Sequence, residues 1–290
     1  MINLAPNHKQ GLLLSHPLIL AAGTVSYGET LPPGLAPRTL GATVGGVVVG
    51  PILAESRSGN HGPRLATQAG GLVLDHGNQN RGVRAAVRKF APLWAALDCT
   101  VIVQVADRDV HALGDTLTHL AAMEADVQEF DGLELLLPDT APIKTLRTFI
   151  DTARARYAGP LLVRLPLLRA TRLAAVALES GADALVIGEP PQATLPYAGI
   201  RTGHHTGRAP AVVSGRFYGP ANFGLMLQEL IAVRAENPAA TLIAAGGIHT
   251  PQMAQHALAL GAQCVALDSV VWVDPASIGE ISAAIAAPAA

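Results

Sequence analysis

The acid that closes "FDGLELLLPD" (130–139) is the first candidate for chemistry. Asp139 follows an apolar run and a proline, and a carboxylate between apolar walls has its pKa raised towards that of a working base. The same strand-Pro-Asp-Thr order is also an ordinary helix start, in which Asp139 would cap the next helix. Arg164, inside "PLLVRLP" (160–166), is the second candidate. A guanidinium buried there requires an anion, either a bound one or a carboxylate such as Glu189. Gly246 and Gly247 offer a third chemistry, since bare amides at a turn and a helix opening near Thr250 suit a phosphate. An inward Asp268, in "QCVALDS" (263–269), would repel that phosphate.

Other polar groups are expected to be structural. Asn78, Gln79 and Asn80 in "GNQNRG" should brace their loop through side-chain to backbone bonds. His76, His204, His205 and His249 fall in loops, where a free surface histidine is the ordinary outcome. "RTGHHTGR" (201–208) could alternatively reach a pocket mouth and take an anion. Cys99 and Cys264, the only two cysteines, have no metal-ligand spacing and cannot form a disulfide framework. They read as small buried hydrophobes in a reducing cytoplasm, and no metal site is expected.

Eight apolar runs must position these groups: 17–23, 44–50, 100–106, 132–137, 160–166, 182–188, 241–247 and 263–269. They are almost continuously apolar, as strands covered on both faces must be. Helical patterns alternate with them, including 145–157, 172–180, 222–237 and 250–261. Asn222 and Thr250 suit N-caps, while Gly181 and Gly261 suit helix ends. The alternation predicts an α/β fold, a (βα)8 TIM barrel in a single domain over residues 1–290. A doubly wound sheet is the alternative, but no G-x-G-x-x-G follows the first strand.

Composition narrows the function. Of the 290 residues 50% are hydrophobic and only 4% aromatic, so Ala, Val, Leu and Ile must build the core. Charged residues at 14% and a net charge of -2 give no footprint for nucleic acid. Mean hydropathy is +0.34, yet every apolar run breaks well before the ~18 residues of a membrane span. The opening "MINLAPNHKQ" lacks a secretory pattern, which places the protein in the cytoplasm as an expectation.

Seven segments, taken in order, resemble one family. They are "HPLILAAGTVSYGE" (16–29), "SGNHGPRLA" (58–66), "GNQNRGV" (77–83), "GPLLVRL" (159–165), "SGADALVI" (180–187), "VVSGRFYGPA" (212–221) and "LIAAGGIHTPQMAQHALALGAQCVAL" (242–267). Together they are similar to the dihydroorotate dehydrogenases, particularly the class 1 branch, which are FMN-containing (βα)8 barrels. The resemblance implies a cofactor-binding set of Ala22, Gly23, Gln104, Arg164, Ser214, Gly215, Gly246, Gly247 and Ser269. In it Gln104 replaces a flavin-contacting asparagine, Arg164 replaces a lysine, and Ser214–Gly215 lies at the strand end before the Gly-Gly turn.

In that family dihydroorotate gives a proton to a cysteine base and a hydride to the flavin, and asparagines and two lysines hold substrate and cofactor. The cysteine sits in Asn-x-Ser-Cys-Pro-Asn, and no such string occurs in this chain. The match places Asp139 at the cysteine, Leu136 and Ala141 at the flanking asparagines, and Leu74 and Glu189 at two further asparagines. Gly50 falls at the first lysine, and Asp268–Ser269 at the usual Gly-Thr. Only 140–144 stands where the family carries a longer loop over the substrate. The expectation is therefore a family member inactive on dihydroorotate, serving as a non-catalytic homologue or partner subunit. An FMN-dependent oxidoreductase with an altered substrate is the alternative. Either form is a candidate homodimer or hetero-oligomer with an electron-transfer or pyrimidine-pathway subunit.

Overall fold

A computed structural model describes residues 1–124, 130–197 and 212–286, so "RTGHHTGR" with His204 and His205 lies outside the described residues. Eight parallel strands close into a barrel in chain order: β1 (Leu18–Leu20), β2 (Gly46–Ile52), β3 (Thr100–Val105), β4 (Gly132–Leu136), β5 (Leu161–Pro166), β6 (Ala184–Glu189), β7 (Leu242–Ala245) and β8 (Cys264–Leu267). Each expected apolar run overlaps one of them, with β2 and β6 running past the expected ends at Gly50 and Gly188. The main helices are α1 (Val83–Trp94), α2 (Val110–Glu124), α3 (Ile143–Arg156), α4 (Ala170–Glu179), α5 (Phe223–Glu236) and α6 (Pro251–Ala259).

Both faces of the strands are apolar because they serve two cores. Leu133, Leu135, Val163, Leu165 and Leu185 join the layer beneath the helices. Ile19, Val48, Ile102, Leu162, Val186 and Ile243 fill the barrel interior. An N-terminal hairpin, Ile2–Asn3 with Leu13–Leu14, closes the bottom by adding Leu4, Leu12 and Leu14 to that inner core. Alternation along a strand then has a direct consequence: Gln104 and Arg164 point the same way as Ile102 and Leu162, into the barrel.

Helix ends follow local chemistry at Thr250, Gly181 and Gly261 but not at Asn222. Thr250 accepts a 3.3 Å bond from the Met253 amide, and Gly181 and Gly261 end their helices at φ +95 and +107. Asn222 does not cap α5. Its side chain instead donates to the Phe217 carbonyl at 2.7 Å, tying the helix start to the preceding strand.

One sheet departs from the expected plan. Strands Gln192–Pro196, Val212–Tyr218, Gly71–Leu74 and Leu65–Gln68 form an antiparallel sheet outside the barrel. Ser214 and Gly215 therefore lie inside an antiparallel strand between β6 and β7, not at the end of a barrel strand. Among the described residues, no helix is long and apolar enough to cross a membrane.

Candidate functional site

The C-terminal ends of the barrel strands and the antiparallel sheet enclose a cavity of about 770 Å³. That volume and position are those of a small-molecule site in this fold. Its floor is polar. Glu134 lies opposite Gln104 in the β3–β4 register, and Leu136 lies opposite Arg164 in β4–β5. Gln104 donates to Glu134 Oε1 at 2.6 Å, and Arg164 Nε donates to the same oxygen at 3.0 Å. Glu134 and Arg164 are 1% and 4% exposed, so both charges are largely withdrawn from bulk water.

The pairing continues upward. Arg164 is 3.8 Å from Glu189, and Glu189 Oε1 is 3.1 Å from Arg216 Nε. The other arm of Arg216 meets Asp139 and also donates to the Pro190 carbonyl at 2.8 Å. Glu134, Arg164, Glu189, Arg216 and Asp139 thus form one alternating ladder from floor to rim. Burial opposes charge on Arg164, but Glu134 and Glu189 outweigh it and hold the guanidinium protonated. Burial pushes the Glu189 carboxyl up from its ordinary range, the two arginines pull it down, and Asp139 and Glu134 add to the rise.

A bulge aims Glu189 into the ladder. The β5–β6 register passes from Leu165 opposite Ile187 to Pro166 opposite Glu189, skipping Gly188. Gly188 has φ +131, and a Cβ there would sit 1.3 Å from the Ala245 carbonyl oxygen. Only glycine permits that approach, and the skipped residue turns the next side chain inward.

Asp139 does not cap α3, whose N-cap position is Pro142 without a side-chain bond. Arg169 fixes its turn instead, by donating to the carbonyls of Asp139 and Ala141. Arg164 pairs most closely with Glu134, a partner not expected, and only secondarily with Glu189. Two histidines are likewise not free. His76 lines the cavity and accepts from the Asn78 amide at 3.0 Å, and His249 is 2.9 Å from Ser269 Oγ. Burial lowers the pKa of both. The bracing role expected of Asn78, Gln79 and Asn80 falls to Asn80, whose side chain bonds the Asn78 carbonyl and the Gly82 amide, while Gln79 accepts from the Arg64 side chain.

The remaining candidates divide. Ala22, Gly23, Gln104, Arg164, Ser214 and Gly215 line the cavity, whereas Gly246, Gly247 and Ser269 do not. Gly247 is covered: a Cβ there would lie 2.5 Å from the Phe223 amide nitrogen and 3.0 Å from the Gly219 carbonyl oxygen. Gly219, rather than Gly215, is therefore the glycine packed on that turn. Asp268 does line the cavity, 6% exposed, with Oδ1 accepting from the Ser269 amide and hydroxyl at 2.5 and 3.0 Å. Tyr218 and Trp272 line it as well, with ring centroids 5.1 Å apart and planes at 70°. At Gly50 the backbone has φ +116, and a Cβ would lie 2.9 Å from the Gln104 carbonyl oxygen. The position that resembles a lysine site cannot hold a lysine on this backbone. Among the described residues no cluster of His, Cys, Asp or Glu has metal-binding geometry, Cys264 is buried and Cys99 is half-buried, its thiol pushed by burial up to about 12.

A closed eight-stranded barrel with a polar cavity at its C-terminal mouth defines the class. No family model matches the chain. The catalytic subunit of dihydroorotate dehydrogenase B (NAD(+)) from Desulforudis audaxviator is 29% identical over 287 residues, 94% of this chain and 88% of that protein. A Solibacter usitatus protein assigned as dihydroorotate dehydrogenase A (fumarate) is 30% identical over 278 residues, 91% and 86% of the two chains. The dihydroorotate dehydrogenase of Eimeria tenella, solved with ferulenol, superposes with a TM-score of 0.71 at 18% identity, over 92% of this chain and 79% of that one. The chain belongs to the dihydroorotate dehydrogenase family.

Proposed function

We propose that this family member does not oxidise dihydroorotate, and that it uses the barrel mouth to hold a ligand other than flavin and dihydroorotate. The ladder from Glu134 to Asp139 carries the reading. Its two guanidiniums are bonded to carboxylates of the protein, so neither is left for an anionic cofactor or substrate. Arg108 is the third lining arginine, and it stands exposed at the rim beside Asp107.

The residues present do not fit a flavin phosphate. The Gly246–Gly247 turn is outside the cavity lining, and Asp268 stands within it. A carboxylate within a few Å of a phosphate dianion is repulsive by several kcal/mol at the effective dielectric of such a site. Substrate recognition fails on the same surface. Leu74 and Leu136 line the cavity where ring-holding asparagines would be needed, and each missing hydrogen bond is worth about 1 kcal/mol. Asp139 is the only carboxylate at the position of the family's base, and its charge is committed to Arg216.

Incubating the purified protein with FMN, dihydroorotate and a redox dye tests the reading. We expect dye reduction indistinguishable from a blank without protein. A rate that saturates with dihydroorotate would overturn it.

A further inference from the structure

The corner of the cavity formed by Asp268, Tyr218 and Trp272 has a charge and shape of its own. Asp268 is buried against the protein, and its Oδ1 is fully engaged by Ser269. Its Oδ2 faces the cavity and receives no hydrogen bond from any described residue. That oxygen is not enclosed by the protein, so a positive or polar group in the cavity can reach it.

The neighbouring charges point to a positive one. Asp75, Asp107, Asp139, Glu189 and Asp268 line the cavity against Arg108, Arg164 and Arg216, which leaves an excess of negative charge. The nearest imidazole, His249, is kept neutral by burial and bonded to Ser269. The Tyr218 phenol also stays protonated, because burial and the nearby Glu189 and Asp268 all oppose its ionisation. The Tyr218 and Trp272 rings supply an apolar wall whose faces attract cations.

We propose that this corner binds the cationic end of a small organic ligand, an ammonium or amidinium group on an apolar or aromatic body. Asp268 is the counter-ion, and Tyr218 and Trp272 pack against the body. The proposal rests on the reading that the mouth does not hold flavin phosphate.

Titration calorimetry of the full-length protein at constant ionic strength tests it with four probes: benzylamine, benzyl alcohol, benzoate and inorganic phosphate. Benzylamine and benzyl alcohol have the same shape and differ in charge. The expected result is saturable benzylamine binding on the order of 1 mM, at least tenfold tighter than benzyl alcohol, with no heat from benzoate or phosphate. Asp268→Asn should remove the tenfold preference. Trp272→Leu, which leaves the Ser269 contacts alone, should weaken benzylamine binding several-fold and covers the case in which the first variant does not fold. Equal binding of benzylamine and benzyl alcohol, preference for either anion, or an unchanged preference in both variants overturns the proposal. Retention of FMN by the same preparation would instead sink the flavin-free reading, whereas no FMN and no benzylamine binding would sink this proposal alone.

Discussion

Arg164→Met should destabilise the barrel by about 3–5 kcal/mol, the cost of leaving a buried partner uncompensated. The side chain removed is 4% exposed, and the carboxylate left behind, Glu134, is 1% exposed and keeps only the Gln104 bond. Solvent screening cannot replace the lost guanidinium at that depth. Denaturant unfolding would show the effect as a lower midpoint with an unchanged slope. The double variant Glu134→Met/Arg164→Met should recover most of the loss, because it removes both charges at similar volume. A single-variant loss below about 1 kcal/mol would mean that the ladder is not a buried electrostatic unit.

Gly188→Ala should be the most damaging single methyl group in the mouth. The added carbon would stand 1.3 Å from the Ala245 carbonyl oxygen, on a backbone already at φ +131. Both strands must move apart, and a loss above about 4 kcal/mol is expected. Little soluble protein should be recovered, or its thermal midpoint should fall by roughly 10 °C. Gly224→Ala is the matched control, since that glycine lies in α5 with open space around its Cβ position. There the same change should stabilise by about 0.5–1 kcal/mol. If both variants behave alike, the bulge that aims Glu189 is not as tight as described.

Much of the barrel was legible because parallel strands covered on both sides must be apolar throughout, and eight such runs stand out. The inner polar layer was only partly legible. Arg164 attracts notice as a charge within an apolar run, and Glu134 sits in an equivalent run with the same alternation. Counting inward positions would have put Gln104, Glu134 and Arg164 inside the barrel together, but not the Glu134–Arg164 pair, because the register sets Glu134 opposite Leu162. Other features depend on distant contacts. The local sequence of Asp139 is that of a helix cap, and its real partner, Arg216, lies on an antiparallel strand outside the barrel plan. Glu189 turns inward only because Gly188 is skipped in the register. His76 and His249 read as loop histidines, because the cavity that His76 lines and the Ser269 that His249 meets are built from residues distant in sequence. Gly219, which the chain packs on the Gly247 turn, had no local signal to mark it.

The central claim is that this barrel mouth has exchanged an anion-binding site for an internal ion ladder and an acidic corner. The visible absorption spectrum tests it most directly. Purified full-length protein would be recorded as isolated, then again after incubation with excess FMN and desalting. A colourless protein is expected in both cases, with no flavin bands carried through the column. Stoichiometric retention of FMN would contradict it, showing that Asp268 and the covered Gly246–Gly247 turn do not exclude the phosphate.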